Sequence, residues 1–242
     1  MIKLSVNVNK IATLRNSRGG TNPSVLEFSE AAIQAGAHGI TVHPRPDERH
    51  IRRSDAHALA ELTRNRVEFN IEGFPDERYF EIVQHCKPQQ ATLVPDPPEA
   101  LTSNAGWNAV KNLDSLKEII RHLKQHTERV SLFLEPDLEQ VRAAAETGAD
   151  RIEFYTEPFA IAFEQGKAAE CFQQFNEAAK LAVSLGLGIN AGHDLNRHNM
   201  KVLRNLHGLA EVSIGHALVV DALHMGWLPT VQAYLNVLAG ND

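Results

Sequence analysis

Polar, chemically capable residues fall again and again just after short apolar runs in this chain, from one end to the other. Val6-Asn7-Val8-Asn9, Thr41-Val42-His43-Pro44-Arg45, Asn70-Ile71-Glu72, Arg151-Ile152-Glu153, Asn190-Ala191-Gly192-His193 and Ser213-Ile214-Gly215-His216 each read as a strand ending in functional groups. An α/β barrel builds its active site in this way, at the C-terminal ends of parallel strands. Runs rich in Val, Ile, Leu and Phe predict strands near 3–8, 39–43, 66–71, 91–94, 129–134, 151–155, 187–190 and 211–214. Between them, apolar residues at helical spacing predict helices over 23–36, 54–64, 75–86, 113–127, 137–147, 167–185, 196–206 and 217–239. Such regular alternation over 242 residues favours one (β/α)8 TIM barrel domain, 1–242, over an open doubly wound sheet.

Local punctuation agrees with these boundaries. Gly36 and Gly148 stand where helices should end, each followed by a short link into a buried strand. Ser54 and Asp137 read as N-caps, and Pro75 suits a first helical turn. Two connections on the strand C-terminal side exceed what a barrel requires: Pro44 to Arg53, dense in charge, and 95–110, which reads as a lid loop.

Composition excludes several classes. The net charge of −6, with no run of Lys or Arg longer than a pair, offers no general attraction for nucleic acid or an anionic membrane. The two cysteines, Cys86 and Cys171, lack any CxxC spacing, which fits a reducing cytoplasm. No leader-like N-terminus and no apolar stretch of ~18 residues are seen, so a soluble cytoplasmic protein is expected.

The strand ends offer Asn7, Asn9, His43, Arg45, Glu72, Glu153, His193 and His216, with Arg18 on the first loop. Histidines that titrate near neutrality beside carboxylates suit the movement of several protons in one turnover, so general acid and base catalysis is expected. A metal site is disfavoured by spacing, because His43-Pro44-Arg45 puts a cation where a second ligand would stand. Enzyme-imine chemistry is disfavoured as well, Lys10 being the only lysine close to a strand end. Gly192-His193-Asp194 and Gly215-His216 after the last two strands, with Arg18, Arg45, Arg49 and His50, suggest small anionic substrates, phosphates above all. Plainer readings stand beside these. His57, His85, His122, His126, His198, His207 and His224 lie on helical stretches, His38 belongs to a turn, Arg49 to Arg53 fits a solvated loop, and Glu153 fits a structural pair with an Arg.

Four segments together resemble the pyridoxine 5′-phosphate synthase family: Asn7 to Gly19, Gly39 to Arg45 with His50, Asn190-Ala191-Gly192-His193, and Ile214-Gly215-His216-Ala217. Leu93-Val94-Pro95 and Ser131-Leu132-Phe133 fall between them in the expected order, so the likeness covers essentially the whole chain. The resemblance implies condensation of 3-amino-2-oxopropyl phosphate with 1-deoxy-D-xylulose 5-phosphate to pyridoxine 5′-phosphate, phosphate and water. It implies no metal, no organic cofactor, and a homo-oligomer, an octamer in the family. By motif, His43 and Glu72 are expected as proton acceptors, His193 as proton donor, and Glu153 as a stabiliser of charge in the transition states. Asn7, Arg18, Gly215 and His216 are expected to hold the aminoketone phosphate, and Arg45, His50 and Thr102 the deoxyxylulose phosphate. Departures fall at Asn9-Lys10, where many members carry Asp-His, and at Asp194, where many carry Gly. All three are kept in the substrate-binding set.

Two other functions fit parts of the pattern: a related barrel isomerase or aldolase acting on another phosphorylated ketose, and a non-catalytic sensor of a phosphate ligand. Trp227, Leu228, Val231 and Tyr234 form an apolar set on the last helix, readable as a subunit interface or as that helix's core face.

Overall fold

The computed structural model describes residues 1–96 and 105–241. The chain runs β1 (Lys3–Asn7), α1 (Asn9–Asn16), α2 (Val25–Gln34), β2 (Gly39–Val42), α3 (Arg53–Thr63), β3 (Glu68–Gly73), α4 (Glu77–Cys86) and β4 (Gln90–Leu93). It continues as α5 (Leu113–Leu123), β5 (Arg129–Leu134), α6 (Leu138–Glu146), β6 (Arg151–Tyr155), α7 (Glu157–Glu164), α8 (Ala168–Ser184) and β7 (Gly188–Gly192). It ends as α9 (Met200–Leu203), β8 (Leu209–Ile214), α10 (His216–Met225) and α11 (Trp227–Ala239). Consecutive strands pair in parallel and β8 returns to β1, closing the (β/α)8 barrel that the alternation predicts.

Side chains alternate across each strand, and the two faces have opposite chemistry. Leu4, Val6, Ile40, Val42, Phe69 and Ile71 are among the residues facing the helices, and they are buried in the main apolar core. The alternate positions carry Ser5, Thr41, Asn70, Gln90, Thr92, Ser131, Asn190 and Ser213, equally buried but polar. Branched apolar side chains usually fill a barrel of this kind. Here Asn70 Nδ2 donates to Thr41 Oγ1 (3.3 Å), Thr92 Oγ1 to Asn70 Oδ1 (2.9 Å) and Gln90 Nε2 to Thr92 Oγ1 (3.2 Å). Asn190 Nδ2 donates to Gln90 Oε1 (3.3 Å), from β7 to β4, strands that are not neighbours, so this bond crosses the barrel interior. Near the N-terminal end of the barrel, Arg129 pairs with Glu68 and Arg151 donates to Asn190 Oδ1 (2.9 Å). Most of these buried amides and hydroxyls bond one another, whereas Ser131 Oγ has no partner among the described residues.

The structure departs from the expected boundaries where local polar bonds compete with the apolar period. Only Met200–Leu203 of 196–206 is α-helical. Asn196 Oδ1 accepts the N–H groups of His198 and Asn199 as an N-cap does, Asn199 Oδ1 accepts that of Asn196, and the Lys201 and Val202 N–H groups bond carbonyls three residues back, so the segment opens as turns before its short α-helical stretch. The last expected helix divides at Gly226, whose φ of 82° suits only glycine, into α10 and α11. Helices α1 and α7 interrupt segments read as loops. Asp137 is an N-cap as expected, accepting from the N–H groups of Glu139 and Gln140. Ser54 lies inside α3, where Asp55 Oδ2 accepts the N–H of Arg52 at the N-cap position, and Pro75 precedes α4, which Asp76 caps. On α11, Val231 and Tyr234 are fully buried and Trp227 packs edge-to-face on Phe28, so most of that apolar set is the helix's core face.

One buried ion pair joins the site-bearing segments. Arg15 on α1 grips Asp55 on α3 with two bonds of 2.6 and 2.8 Å, and also donates to His50 O. Asn16 Nδ2 reaches the carbonyls of Glu48 and His50. The charged loop after β2 is thus tied at its backbone. Asp55→Ala leaves Arg15, only 4% exposed, without its carboxylate. The expected loss is about 3 kcal/mol of stability, read as a lower midpoint in chemical denaturation.

Candidate active site

The strand ends that carry the candidate residues meet at one mouth. Asn7 closes β1, and its Oδ1 accepts the backbone N–H of Asn9 (3.0 Å). Asn9 Oδ1 in turn accepts the N–H of His43 (2.9 Å), so Asn9 joins the ends of β1 and β2. Gly215 faces the Asn7 side chain so closely that a Cβ there would lie 3.2 Å from it. His216 follows at the N-terminus of α10, where unpaired N–H groups and the helix dipole favour an anion.

Past β2, His43 and Arg45 are buried, and the His50 ring stands 6.1 Å from that of His43. Burial, with repulsion from Arg45, His50 and Arg49, holds His43 well below the ordinary imidazole range, so its ring is neutral. His50 is pushed down to about 4 by burial and then by Arg45 and Lys10. Its Nδ1 accepts the Ile51 N–H. Arg45 donates to Asp96, just beyond β4, at 2.5 Å, and both side chains are almost fully buried.

Two carboxyl groups face each other across the barrel. Glu72 on β3 keeps a small opening to solvent, but dense protein around it and then the charge of Asp96 raise it to about 8, against the pull of Arg45. Glu153 on β6 is buried and held well above the ordinary carboxylate range by desolvation and by Glu72. Two acids that act on each other in this way cannot both ionise cheaply. Glu153 Oε2 has no hydrogen-bond partner among the described residues, and Arg151 bonds Asn190 and Glu211 instead, so the structural Glu153–Arg pair does not form.

His193 follows β7 at the same level. Its ring packs edge-to-face on Tyr155 with centroids 5.1 Å apart, and 6.2 Å from Phe133. Its Nδ1 lies 2.8 Å from Asp194 Oδ2. Lys10, in the first turn of α1, brings positive charge to both Asp194 and His50.

Arg18 stands apart: it is exposed on the turn after α1, and no contact joins it to the other candidates among the described residues. Thr102, and 97–104 of the expected lid, lie outside the described residues. The returning end of that loop is anchored, with Trp107 N donating to Phe133 O and Trp107 Nε1 to Leu93 O. His38 is structural, its Nδ1 accepting the Leu4 N–H, and His57 stacks on His85 on the outer helices. Sequence reasoning missed Asp96, Tyr155 and Thr156. The position of Asp96, three residues beyond a strand end, was the available signal. Thr156, whose hydroxyl is shared between the carbonyls of Gly192 and His193, had none.

Comparisons with known proteins bear on this mouth. The family model described as pyridoxal phosphate biosynthesis protein PdxJ matches residues 4–240. The chain belongs to that family. A protein of Christiangramia forsetii named pyridoxine 5′-phosphate synthase is 52% identical over 239 residues, covering 98% of this chain and 100% of its own. A Porphyromonas gingivalis protein of the same name is 51% identical over 240 residues, covering 99% and 100%. Among solved structures, a phosphoribosyl anthranilate isomerase of Thermus thermophilus superposes with TM-score 0.60 at 13% identity, covering both chains in full. At that identity the likeness concerns the fold alone.

Within this family's barrel, Gly192 leaves the space that the Glu153 carboxyl occupies, because a Cβ at 192 would collide with Glu153 Oε1. Gly192→Ala is therefore expected to lower kcat more than tenfold, about 1.4 kcal/mol or more. An unchanged circular dichroism spectrum would show that the loss is local.

Proposed function

We propose that the chain joins 3-amino-2-oxopropyl phosphate to 1-deoxy-D-xylulose 5-phosphate, forming pyridoxine 5′-phosphate, phosphate and water by general acid and base catalysis. The observation that carries this reading is the meeting of neutral His43, the coupled carboxyls Glu72 and Glu153, and His193 at one barrel mouth. Imine formation, phosphate elimination and ring closure each require a proton to be taken and another given. A neutral buried imidazole is a ready acceptor at His43. In its ionised form, a minor one near neutral pH and dominant above about 8, the Glu72 carboxylate is a stronger base than an ordinary one, which suits it to carbon-bound protons. His193 is the donor, and Glu153, already neutral, donates to charge that develops beside it.

The two phosphates take two subsites. Asn7, Gly215 and His216, with the N-terminus of α10, form the aminoketone phosphate subsite, to which Arg18, apart in this structure, would have to swing in. Arg45 and His50 form the other, with Thr102, outside the described residues, expected to join them. Arg45 then exchanges some of its contact with Asp96 for phosphate oxygens. Lys10 serves either phosphate. No step is routed through a metal or organic cofactor. The working protein is a cytoplasmic homo-oligomer, and no helix among the described residues is long and apolar enough to cross a membrane.

The test is an assay with both substrates in chelator, following pyridoxine 5′-phosphate and phosphate together. Equal rates of the two, indifferent to chelator, are expected; binding of either substrate without turnover would overturn the proposal. Glu72→Gln should lower kcat by about 10²–10⁴. The same change should raise the thermal midpoint. Glu72 binds its proton more tightly in the folded state, so its stabilising effect is complete below the unfolded carboxyl value and is lost as pH rises toward about 8. The advantage of the Gln variant is thus absent near pH 4 and largest above pH 8.

A further inference from the structure

We infer that Asp194 is a positioning residue for His193, accepting the Nδ1 proton of the imidazole so that Nε2 faces the reacting atoms and the charge of the protonated ring is balanced. The inference rests on His193 as the proton donor of the proposed reaction.

Adjacent residues in extended chain point to opposite sides, so side chains at i and i+1 do not ordinarily meet. Here His193 and Asp194 both have positive φ, 87° and 56°. The chain turns there, and Nδ1 and Oδ2 come within 2.8 Å. Left-handed backbone at two successive non-glycine residues is strained, and Asp tolerates it better than most. The surroundings hold it in place. The Thr156 hydroxyl bridges the Gly192 and His193 carbonyls at 2.7 and 2.5 Å, and Asn199 Nδ2 donates to the Asp194 carbonyl at 3.0 Å. Tyr155 and Phe133 flank the ring, so its plane is set by packing and its rotation by the carboxylate.

Charged groups converge from each neighbouring element. Lys10 from α1 and His216 from α10 act on Asp194, Glu153 on β6 lies against Gly192, and Glu157 on α7 accepts the Tyr155 hydroxyl proton. The hydrogen bond from His193, then its charge and those of His216 and Lys10, hold the Asp194 carboxyl below its ordinary value, so it is ionised. A carboxylate beside a phosphate subsite would otherwise repel the ligand. Engaged with His193, it orders the imidazole, as a carboxylate does in other catalytic dyads.

Two variants separate charge from orientation. Asp194→Asn keeps an acceptor oxygen and removes the charge, whereas Asp194→Gly removes both and suits the backbone. In the full-length protein, kcat of each is expected to fall by no more than about tenfold near pH 7, with KM changed less than about threefold. The alkaline limb of the kcat profile should move toward acid in both. In ¹⁵N-histidine spectra, the neutral His193 ring should carry its proton on Nδ1 in wild type and in the Asn variant, and lose that preference in the Gly variant. An unmoved alkaline limb with an unaltered tautomer would overturn the inference. So would a sharply lower KM for the aminoketone phosphate, which would mean that the carboxylate faces the ligand. Should wild type form no product, the reaction would be wrong, and the tautomer measurement would still decide the Asp194–His193 pair.

Discussion

Closing eight parallel strands on themselves places every second side chain inside a cylinder too narrow for water to solvate freely, and everything at the mouth depends on how those positions are filled. In this chain they are filled with hydroxyls and amides that bond across the barrel, Asn190 to Gln90 being the clearest instance. The apolar core is displaced to the other face, between sheet and helices. A polar interior of this kind is rigid only while each group has a partner, which makes the strand register and the side-chain network interdependent.

On that support the mouth concentrates acids and bases whose protonation is set by burial. Desolvation pushes Glu72 and Glu153 up and His43 and His50 down, so two carboxyls that would be charged in water favour their neutral form and two imidazoles are kept from gaining charge. Fixed charge is left to Arg45 with Asp96 and to Asp194 with its cationic neighbours. This separation suits a site that must admit two anionic substrates and then shuttle protons between them without help from water. It has a stability consequence as well, since a buried ionisable group is worse for folding than its neutral isostere.

Much of this was legible one residue at a time. Asn7, His43, Glu72 and Glu153 stand at or just beyond strand ends, and a barrel sends those positions to one place. Asn9 was legible as a site residue but not in its contact, a bond to the His43 backbone. Asp96 and Tyr155 escaped notice although both lie at strand ends, because the partners that give them meaning, Arg45 and His193, are distant in sequence. The failed helix at 196–206 is instructive in the same way. Its apolar spacing was real, but the backbone there closes turns around Asn196 and Asn199 before a single short α-helical stretch, Met200–Leu203.

The sequence by itself determined the eight-fold alternation, the apolar period that selects a closed barrel, and the strand ends at which chemistry would sit, because these follow from local pattern and chain connectivity. Only the tertiary structure decided which charges are neutralised, that Glu153 is without an arginine, and that the Asp194 carboxylate meets the His193 ring. The physical reason is that protonation and hydrogen bonding depend on distances between segments far apart in the chain, and on how much water the packed barrel excludes.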